Sequence, residues 1–339
     1  MYVQKLETLP PPPGVLGSLK AGFEAVSSHV ILISLPFLLD LFLWLGPRMA
    51  VNELLGPVYA ASFRQIQSTM GSPEQAQQMA SLQGLFTEWL QNYNLFSLAS
   101  RLFTFPVGIS SLLAQTMPVD TPIGLNWTSQ VTSPLTLTGT VFLLVLIGWI
   151  VGALYFRWVS GAILGGRGAY VSIFHAVFQT LLLSVLWVIF LAFLSIPVTL
   201  FLLILSLISP TLASIGLFVL VLASFWLVVP FFFMPLGIFV RNQNAFRSIF
   251  SSFRMVRFTF PSSAMFVFII FILTTGLNYL WSVPQGNSWM TLIGIAGHAF
   301  ISTALLAASF VYYRDMNGWL HMVIEKLQQK DTPLPGRVR

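Results

Sequence analysis

Ionisable groups inside long apolar runs are costly, so the residues of this chain that could do chemistry are few. Asp40 interrupts the run His29–Pro47 (HVILISLPFLLDLFLWLGP), Asn278 the run Pro261–Val283 and His298 the run Trp289–Tyr313. At about 1.5 Å per residue, all three come out in the same half of a bilayer, the outer half on the orientation argued below. A carboxylate, an amide and an imidazole at one depth are the groups of a proton relay, or of a site for a cationic or hydroxylated ligand. The structural alternative pairs Asp40 with water or with the polar segment that follows it, and makes His298 a neutral, hydrogen-bonded packing residue. No two histidines share a helix face at ligand spacing and no HExxH occurs, so neither a metal nor another cofactor is expected. Gly108-Ile109-Ser110-Ser111 lacks the closing glycine of the GxSG motif of intramembrane serine proteases, and the acids are scattered rather than paired. The reading is therefore a protein without chemistry of its own.

A second set of residues belongs to Arg241–Pro261 (RNQNAFRSIFSSFRMVRFTFP), the most basic run of the chain. At about 100° per residue, Ala245, Phe246, Ile249, Phe253, Val256 and Phe260 share one helix face. Asn244, Arg247, Ser251 and Arg254 fall opposite, and Arg257 lies on the flank. This pattern predicts an interfacial helix whose Arg247, Arg254 and Arg257 meet anionic lipid headgroups. A charged connection that merely follows the topology rule is the alternative.

The elements that must position these groups follow from composition. The chain is 56% hydrophobic, 14% aromatic and only 8% charged, with mean hydropathy +0.83. Water-soluble domains carry roughly 25% charged residues, which excludes that class. A net charge of +6 and a pI near 9.8 raise the question of nucleic acid. The cations, however, sit in short connections between apolar runs, as orientation across a bilayer requires, so no nucleic-acid partner is expected. With no cysteine there is no disulfide, thiolate nucleophile or cysteine-ligated metal. The polar, proline-rich start (MYVQKLETLPPPPGVLGSLK) has no signal-peptide pattern.

The expected fold is all-α: six transmembrane helices, amphipathic interfacial helices and an outer helical cap. Residues 1–28 form a cytoplasmic interfacial segment, 29–47 the first span and 48–135 an extracytoplasmic helical cap. The five-span bundle, 136–313, contains the basic amphipathic segment 241–260, and 314–339 is a cytoplasmic tail. Within the bundle the spans are Thr136–Ser160, Ala176–Ile208, Thr211–Val240, Pro261–Val283 and Trp289–Tyr313, with a short tail helix Gly318–Gln329. In the cap, Ser72 is expected to start a helix whose Met79, Leu82, Leu85, Phe86, Trp89 and Leu90 make one apolar face. Leu95–Met117, broken by Pro106 and Gly108, reads as an interfacial or re-entrant segment. Asn126-Trp127-Thr128 matches a glycosylation triplet that has meaning only in a eukaryote, and Gly161–Gly168 reads as a turn.

Charge sets the orientation. Arg157, Arg167, Arg241, Arg247, Arg254, Arg257 and the tail cations Arg314, Lys326, Lys330, Arg337 and Arg339 fall on one side. Arg48, Arg64 and Arg101 oppose Glu53, Glu74, Glu88 and Asp120 on the other. The positive-inside rule then places both termini in the cytoplasm, in a bacterial cytoplasmic membrane. Expected partners are membrane lipids with anionic headgroups at the cytoplasmic face, and a membrane protein.

A hairpin of long spans, the SxxSFRMVR segment (Ser248, Ser251, Ser252, Phe253, Arg254, Arg257), a fifth span, a short turn and a sixth span ending in YYRD (Tyr312–Asp315) form a recognisable order. It resembles the bacterial six-span family that includes the membrane domain of some glycerophosphodiester phosphodiesterases. The resemblance covers roughly residues 136–320. It implies a stand-alone member without the catalytic domain, and it transfers no catalytic residue. The implied role is a non-enzymatic interaction or lipid-linked accessory protein of a membrane enzyme or export system. The alternative is a small-solute or lipid transporter, favoured by interruptions near Pro197, Pro230 and Pro235.

Overall fold

The computed structural model describes residues 11–68, 73–100, 104–125, 127–165 and 171–331. Ser72, Arg101, Asn126, Arg167, Arg337 and Arg339, which figure in the expectations above, lie outside the described residues, as does the side chain of Lys330. The protein is an all-α polytopic membrane protein. Five helices are long and apolar enough to cross a bilayer, and a bent pair on either side of His29 makes a sixth candidate. The chain divides into two compact units.

One unit comprises Met1–His29, Arg157–Leu273 and Thr303–Arg339. Its elements are α1 (Val15–Ser28), the end of α6 (Pro134–Leu164), α7 (Ile173–Ile208), α8 (Pro210–Phe233) and α9 (Leu236–Arg241). Most of α10 (Ala245–Trp281) and of α11 (Thr291–Asp331) completes it. Helices α7 and α8 form a hairpin, and Ser209 between them caps α8 by accepting from Thr211 N, with Pro210 at the first helical position. Gly22 of α1 lies so close to the backbone of Ala304 and Ala308 that an added Cβ would stand 2.5 Å from Ala308 N. Small residues allow such an approach between helices in an apolar environment. The packed face of α1 includes Leu19, Gly22 and Val26.

Two expected boundaries differ from those observed. The basic segment and the fifth span form one helical run, α10, with a non-helical Thr259 (φ −126°, ψ 23°) just before Pro261. Proline has no N–H to donate and crowds the preceding turn, so the run kinks there instead of ending. The sixth span does not stop at Tyr313 either, because α11 continues to Asp331. The Arg314-Asp315 ion pair (2.7 Å) and the exposed position of Gly318 leave nothing that breaks the helix.

The other unit comprises Val30–Phe156 and Thr274–Ser302. A 3₁₀ turn (Val30–Ile33) leads into α2 (Ser34–Leu45), whose twelve residues reach only about 18 Å. That is short of the roughly 30 Å apolar thickness of a bilayer. The expected first span therefore qualifies only when joined to α1 across the break at His29.

The polar region after α2 is mostly helical, with α3 (Asn52–Ser68), α4 (Pro73–Asn92) and the four-residue α5 (Leu113–Thr116). It also contains strands that the sequence did not lead us to expect. β1 (Arg48–Ala50) pairs in parallel with β4 (Thr128–Gln130), and β2 (Asp120–Thr121) pairs antiparallel with β3 (Gly124–Leu125). Asn94 fastens this region, its Oδ1 accepting from Met49 N and Phe96 N, both at 3.2 Å. Arg48 is buried and donates to Asn92 O. Burial pushes its pKa below the ordinary arginine value, while Asp120 acts in the opposite sense.

The expected apolar face of α4 is only partly packed. Leu90 is buried in a cluster with Val51, Tyr93, Leu95 and Val131, whereas Leu82, Leu85 and Trp89 are exposed. α3, its neighbour, contributes no buried residue. The two helices thus meet through an edge of aromatic rings, Tyr59, Phe63 and Phe86, rather than across a full face.

Candidate functional site

Asp40, Asn278 and His298 belong to the second unit, and the segment after Pro106 supplies their partners. Gly152 of α6 positions that segment, since a Cβ there would stand 2.6 Å from the Cα of Gly108. Ser110 and Ser111 follow directly.

Asp40 is fully buried and accepts three hydrogen bonds. Ser111 Oγ donates to Oδ1 at 2.5 Å, Leu113 N to Oδ1 at 3.1 Å and Leu112 N to Oδ2 at 3.1 Å. The carboxylate thereby caps the short α5, whose first amides have no intrahelical partner. His298, 1% exposed, makes a separate chain of contacts. Its Nδ1 is 2.8 Å from Asn278 Oδ1 and its Nε2 is 3.3 Å from Ser110 Oγ. Asn278 Oδ1 can only accept, so Nδ1 carries the proton and Nε2 accepts from the serine. The structure thus joins Asn278 to His298, while Asp40 bonds to neither. Ser110 and Ser111, adjacent in sequence, divide between the two groups.

Hydroxyl, imidazole and amide in this order form the arrangement in which a histidine can take a serine proton. Acyl transfer also needs donors aimed at a developing oxyanion. The amides that follow Ser111, those of Leu112 and Leu113, already donate to Asp40. A carboxylate at that position would repel a second negative charge. The contacts tie the 104–116 segment to α2, α10 and α11, which is what buried polar groups do when each is spent on another.

The arginine set lies in the first unit, where the residues of the expected apolar face divide between packed and exposed positions. The buried face of α10 in this unit includes Ala245, Ser248, Ser252, Met255, Val256 and Thr259, while Phe246, Phe250 and Phe258 are exposed. Small and hydroxylated residues make close packing possible, and the hydroxyls of Ser248 and Thr259 find partners, while that of Ser252 has none among the described residues. Ser248 Oγ donates to Met234 O, and Thr259 Oγ1 donates to Met255 O at 2.8 Å. The phenylalanines are turned outward.

This orientation creates a pocket of about 330 Å³. Arg247 and Arg254 line it from α10, Arg241 from the end of α9 and His321 from α11. Arg247 and Arg254 are seven residues apart, two helical turns, so they share a face. Arg257, three residues on, is turned about 60° from Arg254. It does not line the pocket, and its guanidinium lies 6.0 Å from the ring centre of Phe258. Asn242 adopts a left-handed conformation (φ 50°, ψ 39°) that ends α9 and brings Arg241 back over α10.

Polar side chains of the lining are bonded to one another. Ser251 Oγ donates to Gln243 Oε1 at 2.8 Å and lies 2.9 Å from Tyr313 OH. Asn317 Nδ2 donates to Tyr313 O at 2.8 Å, and Arg241 Nη1 donates weakly to Asn317 Oδ1 at 3.5 Å. Sequence reasoning missed Arg241, Asn317 and His321 as site residues. The last two are four apart, a spacing that would have placed them on one face had α11 been drawn through the YYRD motif.

Among the described residues, no group of three or more His, Asp or Glu side chains could hold a metal ion. No protein-family model matches the chain, and neither a curated protein nor a solved structure matches it.

Proposed function

We propose that this chain is a lipid-linked accessory protein of a membrane enzyme or export system, with no chemistry of its own. On this reading it sits in a bacterial cytoplasmic membrane with both termini cytoplasmic, as a member of the six-span family it resembles. Its partners are anionic lipid headgroups and one membrane protein. The observation that carries the proposal is the contrast in how polar groups are used. In one unit the Ser111 hydroxyl donates to Asp40, and His298 is bonded between Ser110 and Asn278. The arginines lining the pocket of the other are exposed beside outward-facing phenylalanines, the combination an interfacial lipid contact uses.

A small-solute or lipid transporter is the second reading. It draws on the broken pair at His29, because discontinuous spans often line substrate sites.

The test is to extract the tagged protein from its own membrane in a mild detergent and to quantify what accompanies it. One protein at stoichiometric amount is expected. A lone chain that moves a solute across reconstituted vesicles would overturn the proposal in favour of the transporter.

A further inference from the structure

Exposed arginines are ordinary at the ends of membrane helices, so their number alone identifies nothing. What sets this group apart is convergence on a concave site. Arg241, Arg247 and Arg254 reach one pocket from two helices, and a third helix supplies His321. A volume of about 330 Å³ falls at the lower end of the roughly 300–1,000 Å³ typical of small-ligand sites. Among the described residues, no carboxylate lines it. Among the described residues, the ion pairs are Lys20–Glu24 and Arg314–Asp315, neither of which involves these arginines. Three like charges so placed repel one another until an anion joins them, and guanidinium groups match the oxygens of phosphate in a planar, forked geometry. The lining adds neutral polar groups, Ser251 and Asn317, and a larger apolar part from Phe250, Met255, Leu320 and Ile324.

We propose that this pocket binds one phosphate-bearing anion, held by Arg241, Arg247 and Arg254 beside Ser251 and Asn317. The shared chemistry is a phosphoryl group attached to a short polyol, which a lipid headgroup or a soluble phosphate ester would each supply. The inference deepens the lipid-linked reading by assigning it a defined, saturable site. It also replaces Arg257 with Arg241 among the residues that matter.

The experiment titrates the full chain in a neutral detergent with two probes that share one headgroup: dioctanoyl phosphatidic acid and glycerol 3-phosphate. Saturable one-to-one binding of the lipid is expected, with the dissociation constant raised tenfold or more by Arg247→Gln/Arg254→Gln. Arg254→Gln and Arg257→Gln remove equal charge from the same segment, and only the first should weaken binding. Arg247→Lys/Arg254→Lys should restore part of the affinity. Thermal unfolding of each variant separates loss of the site from loss of the fold. Binding of glycerol 3-phosphate as tight as that of the lipid would support the site and assign it to a soluble ester. Binding of neither probe, or equal weakening by Arg254→Gln and Arg257→Gln, would overturn the proposal. The accessory role fails separately, through the absence of a protein partner, whatever this titration gives.

Discussion

Asp40 and Arg254 are both charged residues in a chain that has few of them, and their surroundings are opposite. Asp40 is buried under three donors, two of them backbone amides, so its charge is consumed in holding the 104–116 segment. Arg254 is exposed, lines a pocket and, among the described residues, has no carboxylate partner. A buried charge persists only when paired or fully hydrogen-bonded, whereas an exposed one costs little and remains available to a ligand. In an apolar chain, then, the costly polar residue is not automatically the functional one.

The sharpest way to break this comparison is Asp40→Ala. It leaves the Ser111 hydroxyl and the amides of Leu112 and Leu113 without their acceptor, and unsatisfied buried groups cost about 1–3 kcal/mol each. A loss of about 3 kcal/mol or more is expected, seen as a melting temperature lowered by several degrees in detergent. An unchanged transition would mean that the carboxylate is not a structural tie. Arg247→Gln/Arg254→Gln should do the reverse. Its unfolding should change by no more than about 0.5 kcal/mol, as for other exposed sites. Its association with anionic vesicles should fall, and the difference from the unmodified protein should shrink as salt screens the charges.

The remaining tests sharpen the contrast. A fluorophosphonate serine probe should leave Ser110 unlabelled, because the neighbouring amides are turned to Asp40. An adduct on Ser110 that disappears in His298→Gln would make that chain catalytic instead. Arg257→Gln should have the smallest effect, with both stability and pocket binding close to unchanged.

The physics of single elements was readable from the sequence, and the physics of juxtaposition was not. Length and apolar composition are enough to identify α6, α7 and α8 as membrane helices, because a span needs no partner to be recognised. The kink in α10 has a visible cause in Pro261. The partners of Asp40 and His298 had no signal of their own: Ser110 and Ser111 sit in an irregular segment whose path depends on Gly108 meeting Gly152. The helical wheel of 241–260 assumed that apolar residues face one environment and arginines another. In a membrane protein the packed face can instead be the small, hydroxylated one, and Ser248, Ser252 and Thr259 carried that alternative in plain view. Arg241 could not be assigned from periodicity, since the left-handed Asn242 separates its helix from that of Arg247.

The most direct test is native mass spectrometry of the protein released gently from its own membrane, comparing the natural sequence with Arg247→Gln/Arg254→Gln and Arg257→Gln. The account predicts one phosphate-bearing lipid retained per chain in the natural protein and in Arg257→Gln, and its loss in the double variant. Equal lipid retention in all three, or no retained lipid in any, would contradict it.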